Sequence, residues 1–245
     1  MKFIIFIFLF STSIINSQNS FNEKQYYKWF DSIVGVGNID LYNGVEYKEK
    51  YTTIEGNNQY FLSNYTPSQY PIGNVVYDDQ PYYDINLKYD IHNNLVVVRL
   101  LNQSGQFAFQ LIPEKIKQFT IDNHLFVNMS YPGNKITSAK IEGFYEVIYQ
   151  NNNIALLSKH TKTKAQDLNG SFAYTKFTYQ NKLFLHYNAN YFLVKSKRDF
   201  IQVFPNHKKS INSFYKEHRH LMKFNFDEFI SQFMMHLNTL INKTA

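Results

Sequence analysis

Between residues 38 and 195 the apolar side chains recur with a period of two, and short Asn, Asp and Gly clusters break the runs. Side chains alternate faces along a β-strand, so this pattern predicts half-buried antiparallel strands joined by tight turns. Asn43-Gly44 in LYNGVEY suits a two-residue type I′ turn and predicts a hairpin there. Glu55-Gly56-Asn57-Asn58 punctuates the next pair of strands. Asn64 to Ile72 holds Pro67 and Pro71 and reads as a loop, because proline cannot donate to a ladder. In Pro81 to Ile91 the odd positions, Tyr83, Ile85, Leu87, Tyr89 and Ile91, form an apolar face. The even positions, Tyr82, Asp84, Asn86, Lys88 and Asp90, form a wet one. Asp78-Asp79 is the corner of a hairpin, and His92 to Asn94, Asn102 to Gly105, Asp122-Asn123 and Asn151 to Asn153 are further turns. So are Gln180 to Lys182 and Asn188 to Asn190. Two stretches read as loops: Ser130 to Ile141, and the basic run Lys159 to Asn169, a solvated strand end and loop or, more sharply, a patch for an anionic ligand.

Helical spacing brackets this region on both sides. Asn22 is a candidate cap for a short amphipathic helix carrying Tyr26, Tyr27, Phe30 and Ile33. From Ser196 the period returns to 3.6, with Ser196 and Asp199 as a capping box and Pro205 as a break. A helix from Asn206 to His220 then buries Ile211, Phe214, Tyr215 and His218, and Asn225 with Glu228 starts another. The expected fold is α+β: a mainly antiparallel barrel or sandwich of ten to twelve strands, with C-terminal helices packed on it. The expected organisation is a signal peptide over 1–17, a β domain with a short N-terminal helix over 18–195, and a helical segment over 196–245.

The first residues, MKFIIFIFLFSTSIINSQ, place one charge at Lys2 before the apolar run Phe3 to Phe10 and then small polar residues. That layout predicts a secretory signal cleaved near Ser13 or Ser17. The run is too short to span a bilayer, which takes about 20 apolar residues; an uncleaved anchor is the alternative, since a β-branched run continues to Ile15. Cysteine is absent, which excludes disulfides, thiol nucleophiles and thiolate zinc sites together. The formal charge is +6, one less without Lys2, and too evenly scattered to argue for nucleic acid. The expectation is an exported protein of the periplasm, the outer surface or the extracellular space.

The chemistry-bearing motifs are weak. No metalloprotease, nucleophile-elbow, P-loop or dinucleotide signature occurs, and the acids of VVYDDQPYYDINLKYDI fail EF-hand spacing. Asp84 and Asp90, on one strand face, would stand roughly 20 Å apart, too far for a glycosidase pair. Either would need a carboxylate from another strand, such as Glu46, Glu49 or Glu146. His207, His218, His220 and His236 crowd the C-terminal helices, where capping is the simpler role and a zinc site the sharper one. Tyr82, on the wet face beside Asp84, and the loop residues Tyr65, Tyr70 and Tyr131 could stack on a sugar or a partner. Tyr82, Asp84, Tyr65 and Tyr70 are the candidate ligand-binding residues; no catalytic residue, metal site or cofactor is expected.

GNVVYDDQPYYDINLKYDIHNNLVVV, the pair FVN and GFYEVIY, and the ending DFIQVFPNHKKSINSFYKEHR resemble a family of secreted, uncharacterised proteins from Bacteroidota-type bacteria. The resemblance spans most of the mature chain and implies an exported bacterial setting, with no catalytic residue to carry over. Members have Asp-Gly where this chain has Asp78-Asp79, a weaker turn former. The function expected is a non-enzymatic binding or envelope-associated scaffold module, its partner a protein or glycan of the cell envelope. The alternatives are a glycan-active or other hydrolase with carboxylates from separate strands, or a lipid-carrier barrel.

Overall fold

The computed structural model describes residues 23–34, 40–48, 50–51, 53, 60–63, 68–102, 105–132 and 141–244. The signal segment 1–17, the punctuation at 55–58, the candidate Tyr65 and most of the loops around Pro67 and 133–140 lie outside them. The chain is an α+β protein built on one antiparallel sheet of 11 strands with helices packed against it. The strands are β1 Val45–Glu46, β2 Ile72–Tyr77, β3 Gln80–Asp90, β4 Leu95–Asn102, β5 Gly105–Gln110 and β6 Ile116–Ile121. They continue as β7 His124–Asn128, β8 Phe144–Gln150, β9 Ile154–Asn169, β10 Phe172–Tyr187 and β11 Asn190–Val194. Their order is β1-β5-β4-β3-β2-β6-β7-β8-β9-β10-β11, so nearly every neighbour in space is a neighbour in sequence. Helix α1, Glu23–Val34, precedes the sheet; α2 Lys197–Val203, α3 Lys208–Glu217, α4 Arg219–Phe224 and α5 Phe226–Thr244 follow it.

Turn chemistry sets the registers. Asp78 and Asp79 both have positive φ (54° and 62°), as a type I′ hairpin requires, and join β2 to β3. Asp122-Asn123 and Asn188-Ala189 repeat the device. Two adjacent carboxylates would repel at the first of these corners; Lys115 at 2.9 Å from Asp78 and Lys117 at 3.5 Å from Asp79 offset that. At the other end of the chain, the Ser196–Asp199 capping box starts α2 as the sequence suggests.

Other turns fall elsewhere than the residue pattern suggests. Asn43-Gly44 makes no hairpin: it follows a 3-10 turn over Asp40–Tyr42, and β1 pairs with the distant β5. Glycine is needed there because a Cβ would overlap the Gln110 carbonyl oxygen. The run Lys159 to Asn169 is strand, not loop, and Gln180 to Lys182 lies within a strand rather than at a turn. β9 and β10 pair continuously over 16 residues each, and the reversal is at Gly170, whose φ of 63° fits the first position of a type II′ turn. Thr, Lys and Gln on the exposed half of this ribbon suit a strand open to water on both faces, a pattern that resembles a loop in sequence.

β3 departs most from strict alternation. Gly73 pairs with Ile85 and Val75 with Tyr82, so β3 has one more residue than β2 across this span. The extra residue is accommodated at Asp84, which takes φ 55°, and a bulge of this kind reverses the facing of everything beyond it. Tyr82 therefore points inward (3% exposed), as do Leu87 and Tyr89 on the far side of the bulge. The even positions past it are not wet either. Lys88 is fully buried, its ammonium 5.0 Å from the Phe61 ring and 4.2 Å from the Tyr70 ring. Asp90, also fully buried, accepts hydrogen bonds from the His92 and Asn93 amides and the Asn93 side chain, closing the turn to β4.

Of three apolar clusters among the described residues, two meet along one run of the sheet. The first is ring-rich: Tyr89 meets Phe119, Phe126 and Phe144 at 5.2 to 5.7 Å, mostly edge to face. The second lies where Ile154, Leu156 and Leu185 meet Phe200, Phe229 and Phe233 of the helices. Along β9, Ile154, Leu156, Ser158, His160 and Lys162 alternate onto one face. Helices cover its first two residues, while Lys162 reaches the first cluster by donating to the Phe61 carbonyl at 2.7 Å. Ser158 and His160 lie at the seam between the two.

Candidate functional site

Asp84 joins the sheet to the helix. Its backbone N–H donates to the Asn74 side chain at 3.1 Å, which holds the bulge. Its two carboxylate oxygens take Lys24 and Lys28, each at 2.8 Å. Those hydrogen bonds, Lys24 first and Lys28 next, hold the Asp84 carboxyl below the usual aspartate range. Lys24 and Lys28 are one helical turn apart, so one side of α1 faces the sheet through charge. Tyr27 adds a ring contact to Tyr83 at 6.3 Å.

The rest of the helix is inverted relative to the usual amphipathic arrangement. Tyr26, Trp29, Phe30 and Ile33 follow the spacing of a buried stripe, yet they are 53%, 57%, 44% and 69% exposed. Of the stripe Tyr26, Tyr27, Phe30 and Ile33 that the sequence suggests, Tyr27 turns to the sheet while the others face water together with Trp29; the spacing cannot show that the lysines dock on the sheet.

The other described candidates pack within the fold. Tyr82 lies beneath the surface, walling a hollow of about 170 Å3 with Val75, Phe119 and Thr120. Burial, aided by the charges of Asp40 and Asp31, pushes its phenol up to about 12. Tyr70 is half-buried between two cations, Lys88 at 4.2 Å and Arg99 at 4.5 Å. Tyr131 lies under Lys117 at 5.9 Å. Among the histidines, His218 caps α3 and stacks on Phe214 at 4.0 Å, with His236 against the same ring at 5.0 Å. Among the described residues no group of three or more His, Asp or Glu is arranged to hold a metal ion.

One constellation brings Glu146, a carboxylate the sequence only offers as a partner from another strand, together with residues it does not connect. At the seam, Glu146 of β8 is 7% exposed and serves two histidines from flanking strands. One oxygen meets His124 Nδ1 of β7; the other is 2.6 Å from His160 Nε2 of β9. His160 Nδ1 is in turn 2.6 Å from the Tyr179 hydroxyl of β10. Burial works to raise the Glu146 carboxyl, but the hydrogen bonds from His160 and His124 outweigh it and hold it below the usual range. The four residues come from four consecutive strands, and only the register aligns them; no spacing in the sequence reveals it.

No helix among the described residues is long and apolar enough to cross a membrane. The fold and these two surfaces place the chain in the broad class of α+β proteins with an open antiparallel sheet. No protein-family model matches it, and no curated protein or solved structure is significantly similar to it.

Proposed function

We propose that this chain is an exported, non-enzymatic binding or envelope-associated scaffold protein, with α1 as its recognition element. The observation that carries the reading is the inverted helix: ion pairs to Asp84 hold α1 with Tyr26, Trp29, Phe30 and Ile33 turned to water. An apolar stripe kept exposed on a tethered helix suits a partner protein that offers an apolar groove. The apolar leader, the lack of cysteine and the resemblance to secreted Bacteroidota-type proteins support an envelope setting. No observation favours the hydrolase alternative, since both oxygens of Glu146 are engaged by histidines. The lipid-carrier alternative also gains nothing from a β interior packed with rings.

Site-specific photo-crosslinking in the producing cell tests the proposal. A photoreactive residue replacing Phe30 should give a discrete adduct with an envelope protein, and one replacing Asn93 on the β3–β4 turn should give none. Absence of an adduct at 30, or retention of the protein in the cytoplasm with its leader intact, would overturn it.

A further inference from the structure

Asparagine is followed by glycine at two places in the chain, Asn43-Gly44 and Asn169-Gly170, and the fold treats the two pairs oppositely. Glycine has no Cβ to keep the preceding side chain away from its backbone nitrogen. That nitrogen can therefore attack the asparagine Cγ and close a five-membered ring, provided that nothing holds the two groups apart. Asn43-Gly44 is held. The Asn43 side chain donates to Asp40 Oδ1 at 3.2 Å, and its backbone N–H donates to the Asp40 carbonyl at 3.2 Å. Gly44 lies so close to β5 that a Cβ there would overlap the Gln110 carbonyl oxygen, and β1 begins at the next residue, with Val45 opposite Gln110. Bringing the Asn43 Cγ onto the Gly44 nitrogen would break this turn.

Asn169-Gly170 stands at the far end of the β9–β10 ribbon. Among the described residues β8 pairs with β9 only as far as Ser158, and β11 with β10 only from Leu183. Beyond those points the ribbon has two strands and no third, and it carries the turn roughly 35 Å further along the strand direction. Asn169, Gly170, Ser171 and Phe172 are all exposed, and a Cβ at Gly170 would meet nothing within 4 Å. No hydrogen bond to another described residue holds the Asn169 side chain. In a two-residue turn the last ladder bonds belong to the flanking pair, Asn169 and Phe172, so the Gly170 N–H is left to water.

We propose that Asn169 is a site of self-modification by deamidation, and that the fold protects Asn43 from the same reaction. The Gly170 nitrogen gives its proton to hydroxide and forms a bond to Asn169 Cγ. The side-chain nitrogen takes a proton from water and leaves as ammonia. A water molecule then opens the cyclic imide at either carbonyl, restoring the Gly170 N–H and leaving an aspartyl or an isoaspartyl residue. The balance is one water consumed and one ammonia released, with no cofactor. The change is confined to the ribbon tip. A new carboxylate joins Asp167 there, and the isoaspartyl form lengthens the main chain at a turn that two residues close, which opens the last ladder pair. The base of the ribbon is anchored elsewhere, by Phe177 against Tyr51 at 5.2 Å and Tyr60 at 5.6 Å. The site is independent of the α1 face.

Peptide mapping by mass spectrometry, on the folded chain aged in mildly alkaline buffer, tests this, with the free peptide DLNGSF aged beside it as the reference. Position 169 should convert to aspartyl and isoaspartyl forms several-fold faster than position 43, and conversion should slow in acid, where the Gly170 nitrogen keeps its proton. In concentrated urea the two positions should convert at similar rates, because the difference belongs to the fold. The melting temperature of the aged protein should equal that of the fresh one. Four results would each overturn the proposal: an unmodified Asn169 once the free peptide has converted, equal conversion at 43 and 169 in the folded chain, a difference that persists in urea, or a lower melting temperature after ageing. All four are read on the unsubstituted chain, so the test does not depend on any variant folding.

Discussion

The Lys28 ammonium of α1 lies 2.8 Å from the Asp84 carboxylate of β3, so the charged side of the helix faces the sheet and its rings face water. The partners are 52% and 35% exposed, so each contact is a surface ion pair worth about 1 kcal/mol or less. Asp84→Asn, which keeps a side chain tolerant of the positive φ there, should therefore change the melting temperature little while releasing α1. Trp29 is the single tryptophan, and its fluorescence anisotropy should fall in the variant. An unchanged anisotropy would mean that other contacts hold the helix.

The same contact should respond to pH. The folded carboxyl of Asp84 is depressed below its ordinary 3.8, so its stabilisation is present above that value and lost as pH falls through the folded one. Trp29 anisotropy is expected to hold from neutral pH down to about 4 and to drop below it. Salt should mimic the effect, because exposed pairs are screened.

Glu146 behaves differently because it is buried. Glu146→Ala leaves two histidines facing an empty centre and should cost roughly 3–5 kcal/mol, the scale of breaking a buried pair. Glu146→Gln, which keeps an acceptor and the volume, should cost less. Urea unfolding of the two variants measures the difference; equal costs would mean that the charge contributes nothing.

Two lysines set a rise in stability on the alkaline side. Burial lowers the ammonium groups of Lys159 and Lys162 to about 8 from 10.5. Between those values the unfolded chain binds more protons than the native one, so stability should increase with pH. Lys159 donates to the Glu142 and Phe144 carbonyls and Lys162 to that of Phe61, so each is retained for its hydrogen bonds despite the cost of burial. The melting temperature should climb from pH 8 to pH 10, and Lys162→Met should flatten the climb. A fall over that interval would contradict the assignment.

Most strands were legible because alternation and turn residues act locally: Asp78-Asp79 and Asn188-Ala189 turn the chain wherever they stand. Features that depend on register were not. The phase of Tyr82 could not be read, because a bulge at Asp84 shifts the face without changing the composition of the strand. Gly44 resembles a hairpin glycine although its role is to let Gln110 approach from a distant strand. The Glu146 row is invisible for the same reason, being assembled by pairings between four strands. Helical spacing on α1 was readable, but the stripe took in Tyr27 and left out Trp29, because which side meets the sheet is decided by Asp84, far along the chain.

If the outward rings of α1 are a binding surface, the emission of Trp29 reports their burial by a partner. Titrating the protein with solubilised envelope proteins of the producing cell should shift the emission to the blue and saturate. Phe30→Glu with Ile33→Glu, at positions 44% and 69% exposed, should abolish the shift without lowering the melting temperature. A Trp29 emission that stays solvent-like throughout, or a shift unaffected by the double substitution, would mean that α1 is not the recognition surface.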